Sequence, residues 1–362
     1  MARPDLTARV GSLMLPNPLM TASGTAGHGA ELAGYLDLSA LGAVVVKSLS
    51  PDPWAGNPSP RVHPVAAGML NSVGLQNPGV DAWLDEELPA LAATGARVVV
   101  SIWGQTAGDY GRVAKAIARA SASASANANA NANARARASG SASGSASGSV
   151  RAGASDGATQ TGRVPAAPPA PPARSIVAVE ANVSCPNVED RRRMFAHSCA
   201  ATAAAIGEAA EALAGTGLPL WAKLSPNVTD LTEIAAAALA AGADGLTLIN
   251  TLMGLALDPA TGRPRLGGGG GGLSGPALHP VAVRAVFECR AALPDAAIVG
   301  VGGISTGEDA AELLAAGADA VQVGTATFAD PRAPARILAE LERWCGHNGI
   351  TRLADLIGRA HE

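Results

Sequence analysis

The strongest constraint on the fold is a repeated alternation of short apolar runs, rich in β-branched residues, with longer stretches rich in alanine and leucine. Such alternation is typical of consecutive βα units, whose strands pair in parallel. Several runs, such as Val44-Val45-Val46 and Val98-Val99-Val100, are continuously apolar, as strands buried on both faces must be. The pattern predicts eight strands, at residues 19–22, 43–47, 97–102, 177–183, 220–224, 245–250, 297–301 and 320–323.

Eight parallel strands separated by helices favour an α/β fold of the TIM-barrel type, a closed (β/α)8 barrel. The chain has 362 residues, of which 48% are hydrophobic, and this is enough for one large core. We therefore expect a single domain over residues 1–362. An open doubly wound sheet is the alternative that the pattern leaves, because it arises from the same βα alternation.

The ends of the predicted strands test the barrel hypothesis, because barrels of this kind carry their active sites at the carboxyl ends of the strands. Small or polar residues follow all eight strands. In chain order they are Ser23-Gly24, Lys47-Ser48, Ser101, the segment 182–187, Lys223 with Ser225, Asn250-Thr251, Gly302-Gly303 and Gly324-Thr325. This agreement supports the barrel and predicts one site at its mouth.

A low-complexity segment, residues 121–174, interrupts the pattern between the third helix and the fourth strand. Residues 121–149 consist of Ser-Ala, Asn-Ala and Ser-Gly repeats with few exceptions, and residues 151–174 are rich in glycine, proline and alanine. Almost no large apolar side chain is present to offset the entropy that ordering would cost. We expect a disordered insertion on the bottom face of the barrel, opposite the site. A docking segment for a partner is the alternative.

Charge and hydropathy exclude two classes of function. The net charge is −4 and the chain has three lysines, Lys47, Lys115 and Lys223, so it lacks the concentrated basic face that nucleic-acid binding requires. No run of about 18 uncharged apolar residues occurs, and residues 1–10 carry two arginines and an aspartate. We therefore expect a small-molecule substrate, no membrane contact, no signal peptide and a cytoplasmic location.

Two glycine-containing segments follow the seventh and eighth predicted strands, where such barrels commonly bind phosphate. The sequences Val301-Gly302-Gly303-Ile304-Ser305 and Val323-Gly324-Thr325-Ala326 allow backbone N–H groups to approach an anion. Tight turns without a ligand are the alternative. The glycine run 267–272 satisfies GxGxxG, yet it neither follows a strand nor opens a helix. It is predicted to be a flexible loop.

Lys47 and Lys223 each lie at the end of an apolar strand, where a charge is costly unless an anionic partner is present. A phosphate or carboxylate would supply that partner, and exposure of the ammonium group to solvent is the alternative. Asparagine amides, which donate and accept together, suit a ring with alternating carbonyl and N–H groups. The candidates are Asn71, Asn77, Asn182, Asn187 and Asn250.

Cys185 is the candidate for proton transfer. It lies in Asn182-Val183-Ser184-Cys185-Pro186-Asn187, where Pro186 prevents the strand from continuing, which favours an exposed thiol at the mouth. A buried structural thiol is the alternative. The other cysteines lie on predicted helices, and none of the four has the CxxC spacing of a metal site or the pattern of a disulfide framework. These others are Cys199, Cys289 and Cys345.

Together these motifs resemble the dihydroorotate dehydrogenase family, and nearly the whole chain outside 121–174 takes part. The matching stretches in the first half are Asn17-Pro18, Ala22-Ser23-Gly24-Thr25, Val46-Lys47, Gly56-Asn57-Pro58, Pro60-Arg61, Gly68-Met69-Leu70-Asn71 and Gly74-Leu75-Gln76-Asn77-Pro78-Gly79. Those in the second half are 182–187, Lys223-Leu224-Ser225-Pro226-Asn227, 241–245, Ile249-Asn250-Thr251-Leu252 and Gly272-Leu273-Ser274-Gly275-Pro276.

The resemblance implies a TIM barrel that binds FMN and oxidises (S)-dihydroorotate to orotate in pyrimidine biosynthesis. It assigns to Cys185 the removal of the C5 proton while a hydride passes from C6 to flavin N5. The implied flavin contacts are Ser23, Lys47, Ser48, Ser101, Asn182, Lys223, Ile249, Gly275, Gly302, Gly303, Gly324 and Thr325. The implied substrate contacts are Lys47, Asn71, Ser72, Val73, Gly74, Leu75, Asn182, Asn250 and Thr251.

The chain departs from the family pattern at three places. Ser48 and Ser101 stand where relatives usually carry threonine and asparagine, and a charged loop at 189–195 replaces one that is usually glycine-rich. Within this loop, the arginines at 191–193 are either a solvated charge run or a contact for an anionic partner surface.

The identity of two motifs selects a branch of the family. A cysteine at 185 resembles the soluble class 1 enzymes, and the Gly-Leu-Ser-Gly-Pro turn at 272–276 resembles the NAD-linked 1B branch. That branch implies a partner subunit carrying FAD and a 2Fe-2S cluster, with a homodimer core inside a heterotetramer. The alternatives are a fumarate-linked class 1A enzyme, a dihydropyrimidine dehydrogenase-like enzyme, and a flavin-free scaffold that retains the barrel.

Overall fold

The computed structural model describes residues 3–140, 175–184 and 194–362, and for residues 124–140 it describes the main chain alone. These residues form fourteen strands. They are β1 (Ala8–Val10), β2 (Leu13–Leu15), β3 (Leu19–Thr21), β4 (Val44–Val45), β5 (Val62–Val65), β6 (Gly68–Asn71), β7 (Val98–Ile102), β8 (Ile176–Asn182), β9 (Leu220–Leu224), β10 (Gly245–Leu248), β11 (Leu252–Gly254), β12 (Gly271–Ser274), β13 (Ala297–Val301) and β14 (Ala320–Val323).

The helices of the same described residues follow the strands in the order of a βα repeat. The α-helices are α1 (Val80–Ala82), α2 (Leu88–Ala93), α3 (Ala107–Gly140), α4 (Cys199–Leu213), α5 (Leu231–Ala240), α6 (His279–Ala292), α7 (Gly307–Ala315), α8 (Ala326–Ala329) and α9 (Ala333–His347). A π-helical turn over Trp83–Glu87 joins α1 to α2, and short 3-10 turns occupy Glu31–Gly34, Leu38–Ala40, Phe195–His197, Pro276–Leu278, Leu353–Asp355 and Arg359–His361.

Eight strands form one parallel sheet in the order β3-β14-β13-β10-β9-β8-β7-β4. A parallel bridge between Met20 and Ala43 joins the first strand of this order to the last, so the sheet closes into a barrel. All eight predicted strands are present, and the closure confirms the (β/α)8 barrel over the open sheet. The described side chains of β7 and β9 are buried along their whole length, as their continuous apolar runs predict.

A second sheet, antiparallel and in the order β11-β12-β6-β5, was not predicted. The glycine run at 267–272, predicted as a flexible loop, contributes its last two residues to this sheet, where Gly272 pairs with Asn71. A Cβ atom on Gly271 would lie 2.4 Å from the carbonyl oxygen of Asn71, and one on Gly272 would lie 2.0 Å from the Thr251 hydroxyl. The flexible-loop prediction was therefore wrong for these two glycines, which are required by close packing.

Helix α3 extends into the segment predicted to be disordered. Its buried side chains include Tyr110, Val113 and Ile117, after which Ala122 and Ser123 are exposed. The helix nevertheless continues to Gly140, so residues 121–140 are helical here and not irregular. Alanine, the best helix former, occupies every second position from 122 to 138. Residues 141–174 lie outside the described residues, so the prediction of disorder there stays a prediction.

Helix α3 is 34 residues long, about 51 Å at 1.5 Å per residue, and other helices of the described barrel have at most 15. It leaves the barrel mouth after β7 and returns to the bottom face, where β8 begins. Its excess length therefore lies on the side away from the mouth. Among the described residues, none of the helices combines the length and apolar character needed to cross a bilayer.

Replacing residues 121–174 by a short Gly-Ser linker should leave the fold intact, because the packed part of α3 ends near Ile117. The melting temperature followed by circular dichroism should stay within about 4 °C of the parent chain, and the mouth on the opposite face should be unchanged. As a matched control, Ile117→Ala in the packed part should cost about 2–5 kcal/mol. A deletion variant less stable than this control would show that the segment contributes to the core.

Candidate active site

A cleft of about 440 Å³ opens at the carboxyl ends of the barrel strands, beside the antiparallel sheet. This volume lies within the range of pockets that hold small molecules and cofactors. The cleft brings together nearly all residues singled out by the sequence. Those lining it are Ser23, Lys47, Ser48, Asn71, Ser72, Val73, Gly74, Leu75, Asn182, Lys223, Ile249, Asn250, Thr251, Gly275, Gly302, Gly303, Gly324 and Thr325.

Among the described residues that the family resemblance gives as flavin or substrate contacts, Ser101 alone does not line the cleft. Its side chain is fully buried, and its hydroxyl shares a 2.9 Å hydrogen bond with that of Ser48. Ser48 in turn lies 3.3 Å from Ser23 and accepts a 3.4 Å hydrogen bond from the Asn182 amide. Ser101 therefore supports the floor of the cleft from behind Ser48, and its assignment as a flavin contact stays a prediction.

Asn182 is held at the centre of this floor. Its side-chain oxygen accepts hydrogen bonds from the Asn250 amide and from the Ser184 backbone N–H, each 3.2 Å long. Its backbone carbonyl accepts a 2.8 Å hydrogen bond from the Tyr110 hydroxyl. The Asn182 carboxamide is therefore fixed by contacts from the ends of β8 and β10, and its main chain is fixed by α3.

Cys185, Asn187 and the arginines 191–193 lie outside the described residues. The residues on either side of this segment, Ser184 and Met194, both line the cleft. The described main chain is anchored there, because Ala196 N–H donates a 2.9 Å hydrogen bond to the Val183 carbonyl. The described chain therefore lines the cleft on both sides of the segment that carries Cys185.

The two lysines occupy different surroundings. Lys223 is 4% exposed, so exposure of its ammonium group to solvent is excluded, and its Nζ lies 3.5 Å from Oε1 of the buried Glu180. Lys47 is partly buried, and a Cβ atom added to Gly24 would lie 3.2 Å from its Nζ. Burial lowers the pKa of His28, and the positive charge of Lys47 adds to that shift. Two cationic groups therefore border one cleft.

The glycine loops after β13 and β14 present backbone donors at the opposite end of the cleft. Gly302 and Gly303 have φ angles of +146° and +70°, which favour glycine. The hydrogen bonds of the described residues do not use the backbone N–H groups of Gly303, Gly324 or Thr325. These groups can receive an anion.

The loop after β13 is held in place from two sides. The His279 ring lies 2.8 Å from the Gly302 carbonyl oxygen. On the other side, Thr306 caps helix α7, and Asp309 accepts hydrogen bonds from the backbone N–H groups of Ser305 and Thr306. These contacts fix the loop before any ligand arrives.

The loop 72–75 forms the wall next to the antiparallel sheet. Asn57 donates a 2.9 Å hydrogen bond to the Ser72 hydroxyl, and the Asn71 amide donates one of 3.1 Å to the Gly272 carbonyl. Leu75 has a φ of +61°, unusual for a residue with a side chain. Such a backbone persists only where its surroundings hold it, which is common at ligand sites.

Asn77 is not at the cleft, although its amide was a candidate for ring recognition. It is buried, accepts from the backbone N–H and hydroxyl of Ser50, and donates to the Leu75 carbonyl. Asn77 therefore supports the loop 72–75. Sequence reasoning also missed residues that do line the cleft. Asn57 lay within a quoted motif but was not assigned to the site, whereas nothing in the sequence marked Met253 or Phe328.

The other three cysteines lie on helices, as predicted, and do not line the cleft. Burial raises the pKa of Cys289 to about 12 and also raises that of Cys345, so both thiols are inert at neutral pH. Cys199 is exposed at the first residue of α4. Within the described residues, no group of histidine, cysteine and acidic side chains could hold a metal ion.

Comparison with known proteins gives a consistent match. The family described as dihydroorotate dehydrogenase matches residues 5–134 and 173–344, which leaves out most of the low-complexity segment. A protein of Desulforudis audaxviator (strain MP104C), named dihydroorotate dehydrogenase B (NAD(+)), catalytic subunit, is 42% identical over 97% of this chain and 96% of its own length. Proteins of the same name from Geotalea daltonii and Geobacter sulfurreducens are each 39% identical, over 99% of both chains.

Replacing Gly303 by alanine should distort the loop after β13. The added Cβ would lie 2.6 Å from Cβ and 2.7 Å from N of His279, at a φ of +70°. We expect a loss of about 1–3 kcal/mol in the free energy of unfolding, measured by urea denaturation. Gly207→Ala, inside helix α4 with no atom within 4 Å of the new Cβ, is the control and should be neutral or stabilising. Equal effects in both variants would contradict the assignment of strain to this loop.

Proposed function

The chain belongs to the dihydroorotate dehydrogenase family, and from this premise we propose that its cleft holds FMN and dihydroorotate together, with Cys185 as the base. The enzyme oxidises dihydroorotate to orotate, a step in the synthesis of pyrimidine nucleotides. Enzymes of this family are in general flavin-dependent. The observation that carries the proposal is the convergence of anion-binding backbone, two lysines and fixed amides on one cleft.

The described residues fit a flavin nucleotide. A phosphate needs several converging donors, and the unused N–H groups of Gly303, Gly324 and Thr325 lie together at one end. The Ser184 hydroxyl lines the other end and has no hydrogen-bond partner among the described residues. Polar groups left open in this way are suited to a ligand.

We assign the ring of FMN to the part of the cleft between the lysines and the phosphate loops. Lys47, Lys223 and Asn182 would meet its polar edge, while Ile249 and Gly275 offer apolar and close-packed surface. Ser23 and Ser48 complete the floor, with Ser101 behind them. Bound there, FMN would accept the hydride that leaves the substrate.

Dihydroorotate would occupy the wall formed by Asn71, the loop 72–75, Asn250 and Thr251. Its ring alternates carbonyl and N–H groups, which asparagine amides can match as donors and acceptors. Lys47, which lines the cleft, would meet its carboxylate as a point charge that needs no fixed geometry. The hydrogen bond from Asn250 to Asn182 couples the substrate wall to the flavin side of the floor.

Cys185 is proposed as the group that removes the substrate proton. It is the next residue in the chain after Ser184, which lines the cleft, and this position supports the proposal. A thiolate can accept this proton, whereas the described mouth provides lysine ammonium groups, amides and hydroxyls that are poor bases at neutral pH.

Electrons must then leave the flavin through another protein. The relatives are named catalytic subunits of NAD(+)-linked enzymes, which implies a separate partner subunit. We propose that this partner carries FAD and a 2Fe-2S cluster and that two copies of the present chain form the core of a heterotetramer. The four cysteines of the chain lack the grouping that such a cluster requires.

Anaerobic mixing with dihydroorotate tests the base. The native protein should be yellow, and its flavin absorbance should bleach rapidly, faster as pH rises until the thiol is fully ionised. Cys185→Ala should keep its flavin and bleach at least about 100-fold more slowly. Cys199→Ala, which changes an exposed thiol away from the cleft, is the control and should behave like the native protein. Equal rates for Cys185→Ala and the control would refute the assignment.

Dihydrouracil tests the substrate. It has the dihydropyrimidine ring but no carboxylate, so a site that uses Lys47 for that group should select strongly against it. We expect dihydroorotate to bleach the flavin at least about tenfold faster at equal concentration, which corresponds to about 1.4 kcal/mol. A preference for dihydrouracil would favour a dihydropyrimidine dehydrogenase-like activity. A colourless protein without extractable FMN would overturn the proposal as a whole.

A further inference from the structure

We infer that Glu180 is a positioning residue for the proposed reaction, because its carboxylate holds the Lys223 ammonium group below the cleft and offsets part of its charge. The balance of these two charges would then set how readily the bound flavin accepts electrons. The inference rests on the proposed function, since it requires a flavin beside Lys223. Glu180 belongs neither to the motifs singled out in the sequence nor to the residues lining the cleft.

Glu180 lies inside the barrel and is fully buried. Its position on β8, two residues before Asn182, places both side chains on the same face of the strand. Gln322 on β14 donates a 2.7 Å hydrogen bond to its Oε2 atom. Strands β8 and β14 are not neighbours in the sheet, so this bond crosses the barrel interior.

The two carboxylate oxygens of Glu180 therefore have separate partners. Gln322 engages Oε2, and Lys223 Nζ lies 3.5 Å from Oε1. Because Gln322 restricts rotation of the carboxylate, Oε1 stays directed at Lys223. The lysine, in turn, ends strand β9 and lines the cleft. A chain of three side chains thus connects the far wall of the barrel to the edge of the ligand site.

Stability alone does not explain why Lys223, Glu180 and Gln322 cluster inside the barrel. The interior of such barrels is normally filled by branched apolar side chains, and a buried carboxylate is costly unless it is paired. Three buried polar atoms, Glu180 Oε1, Gln322 Oε1 and Thr247 Oγ1, have no hydrogen bond within the described residues. Incompletely satisfied polar groups in a core indicate a functional use.

The expected electrostatic effect has a definite sign. A cation beside the flavin stabilises its reduced, more negative form, and an anion behind that cation opposes the effect. Removing the Glu180 charge should therefore make reduction easier, while removing the Lys223 charge should make it harder. A purely structural pair would give loss of stability in both variants without opposite shifts.

The test is a spectroscopic redox titration of the FMN in the full-length protein. At a fixed ambient potential, Glu180→Gln should raise the ratio of reduced to oxidised flavin on the order of tenfold, and Lys223→Met should lower it on the order of tenfold. The control is Thr247→Val, which removes a buried hydroxyl from the residue that lies beside Lys223 in the sheet and changes no charge. Its ratio of reduced to oxidised flavin should stay within about twofold of the native value. Shifts of the same sign for Glu180→Gln and Lys223→Met, or no shift for Glu180→Gln, would overturn the inference.

A double variant covers the case in which Glu180→Gln does not fold. Glu180→Gln combined with Lys223→Met leaves no unpaired buried charge, and its reduced fraction should exceed that of Lys223→Met alone. Equal fractions would overturn the inference. Its failure can be told from failure of the proposed function, because a native protein that is yellow and bleached by dihydroorotate supports the latter whatever the variants do. A native protein that contains no flavin would contradict both the proposed function and the inference about Glu180.

Discussion

The hydrogen bonds between β3 and β4 turn an eight-stranded parallel sheet into a barrel, and every contact at the mouth depends on them. Gly42 N–H donates to the Leu19 carbonyl at 2.8 Å, and Thr21 N–H donates to the Ala43 carbonyl at 3.3 Å. Closure places the first and second strand ends side by side, so Ser23 meets Ser48. Because β14 already pairs with β3 in the sheet, closure also brings the glycine loops after β13 and β14 and the lysines to one rim. An open sheet of the same strands would hold these groups tens of ångströms apart.

The barrel interior shows that the site extends below the visible cleft. Ser101, Glu180 and Gln322 do not line the cleft. Ser101 contacts Ser48 and Glu180 contacts Lys223, both of which line the cleft, and Gln322 contacts Glu180. Their side chains reach the lumen because strand residues alternate between the inner and outer faces. The residues that contact a ligand are thus held by a layer of polar groups, which limits their freedom before binding.

The sequence was sufficient for the parts of this molecule that follow a regular period. Apolar runs located all eight barrel strands, and the residues after them located the mouth. The antiparallel sheet was missed because its strands are short and glycine-rich and pair β6 with β12, some two hundred residues away in the chain. The position of Ser101 behind Ser48 could not be predicted because the depth of a side chain depends on barrel geometry. Glu180 was missed because its partner Gln322 lies across the lumen.

Polar groups at the mouth that have no partner among the described residues affect the stability of the folded chain. Backbone N–H groups without acceptors among the described residues and the buried charge of Lys223 each lower the stability of the folded chain when no ligand is bound. A ligand that binds the folded chain and not the unfolded one adds stability in proportion to the logarithm of its concentration over its dissociation constant. If the cleft binds FMN as proposed, cofactor and barrel stabilise each other, because the phosphate and ring would engage these same polar groups.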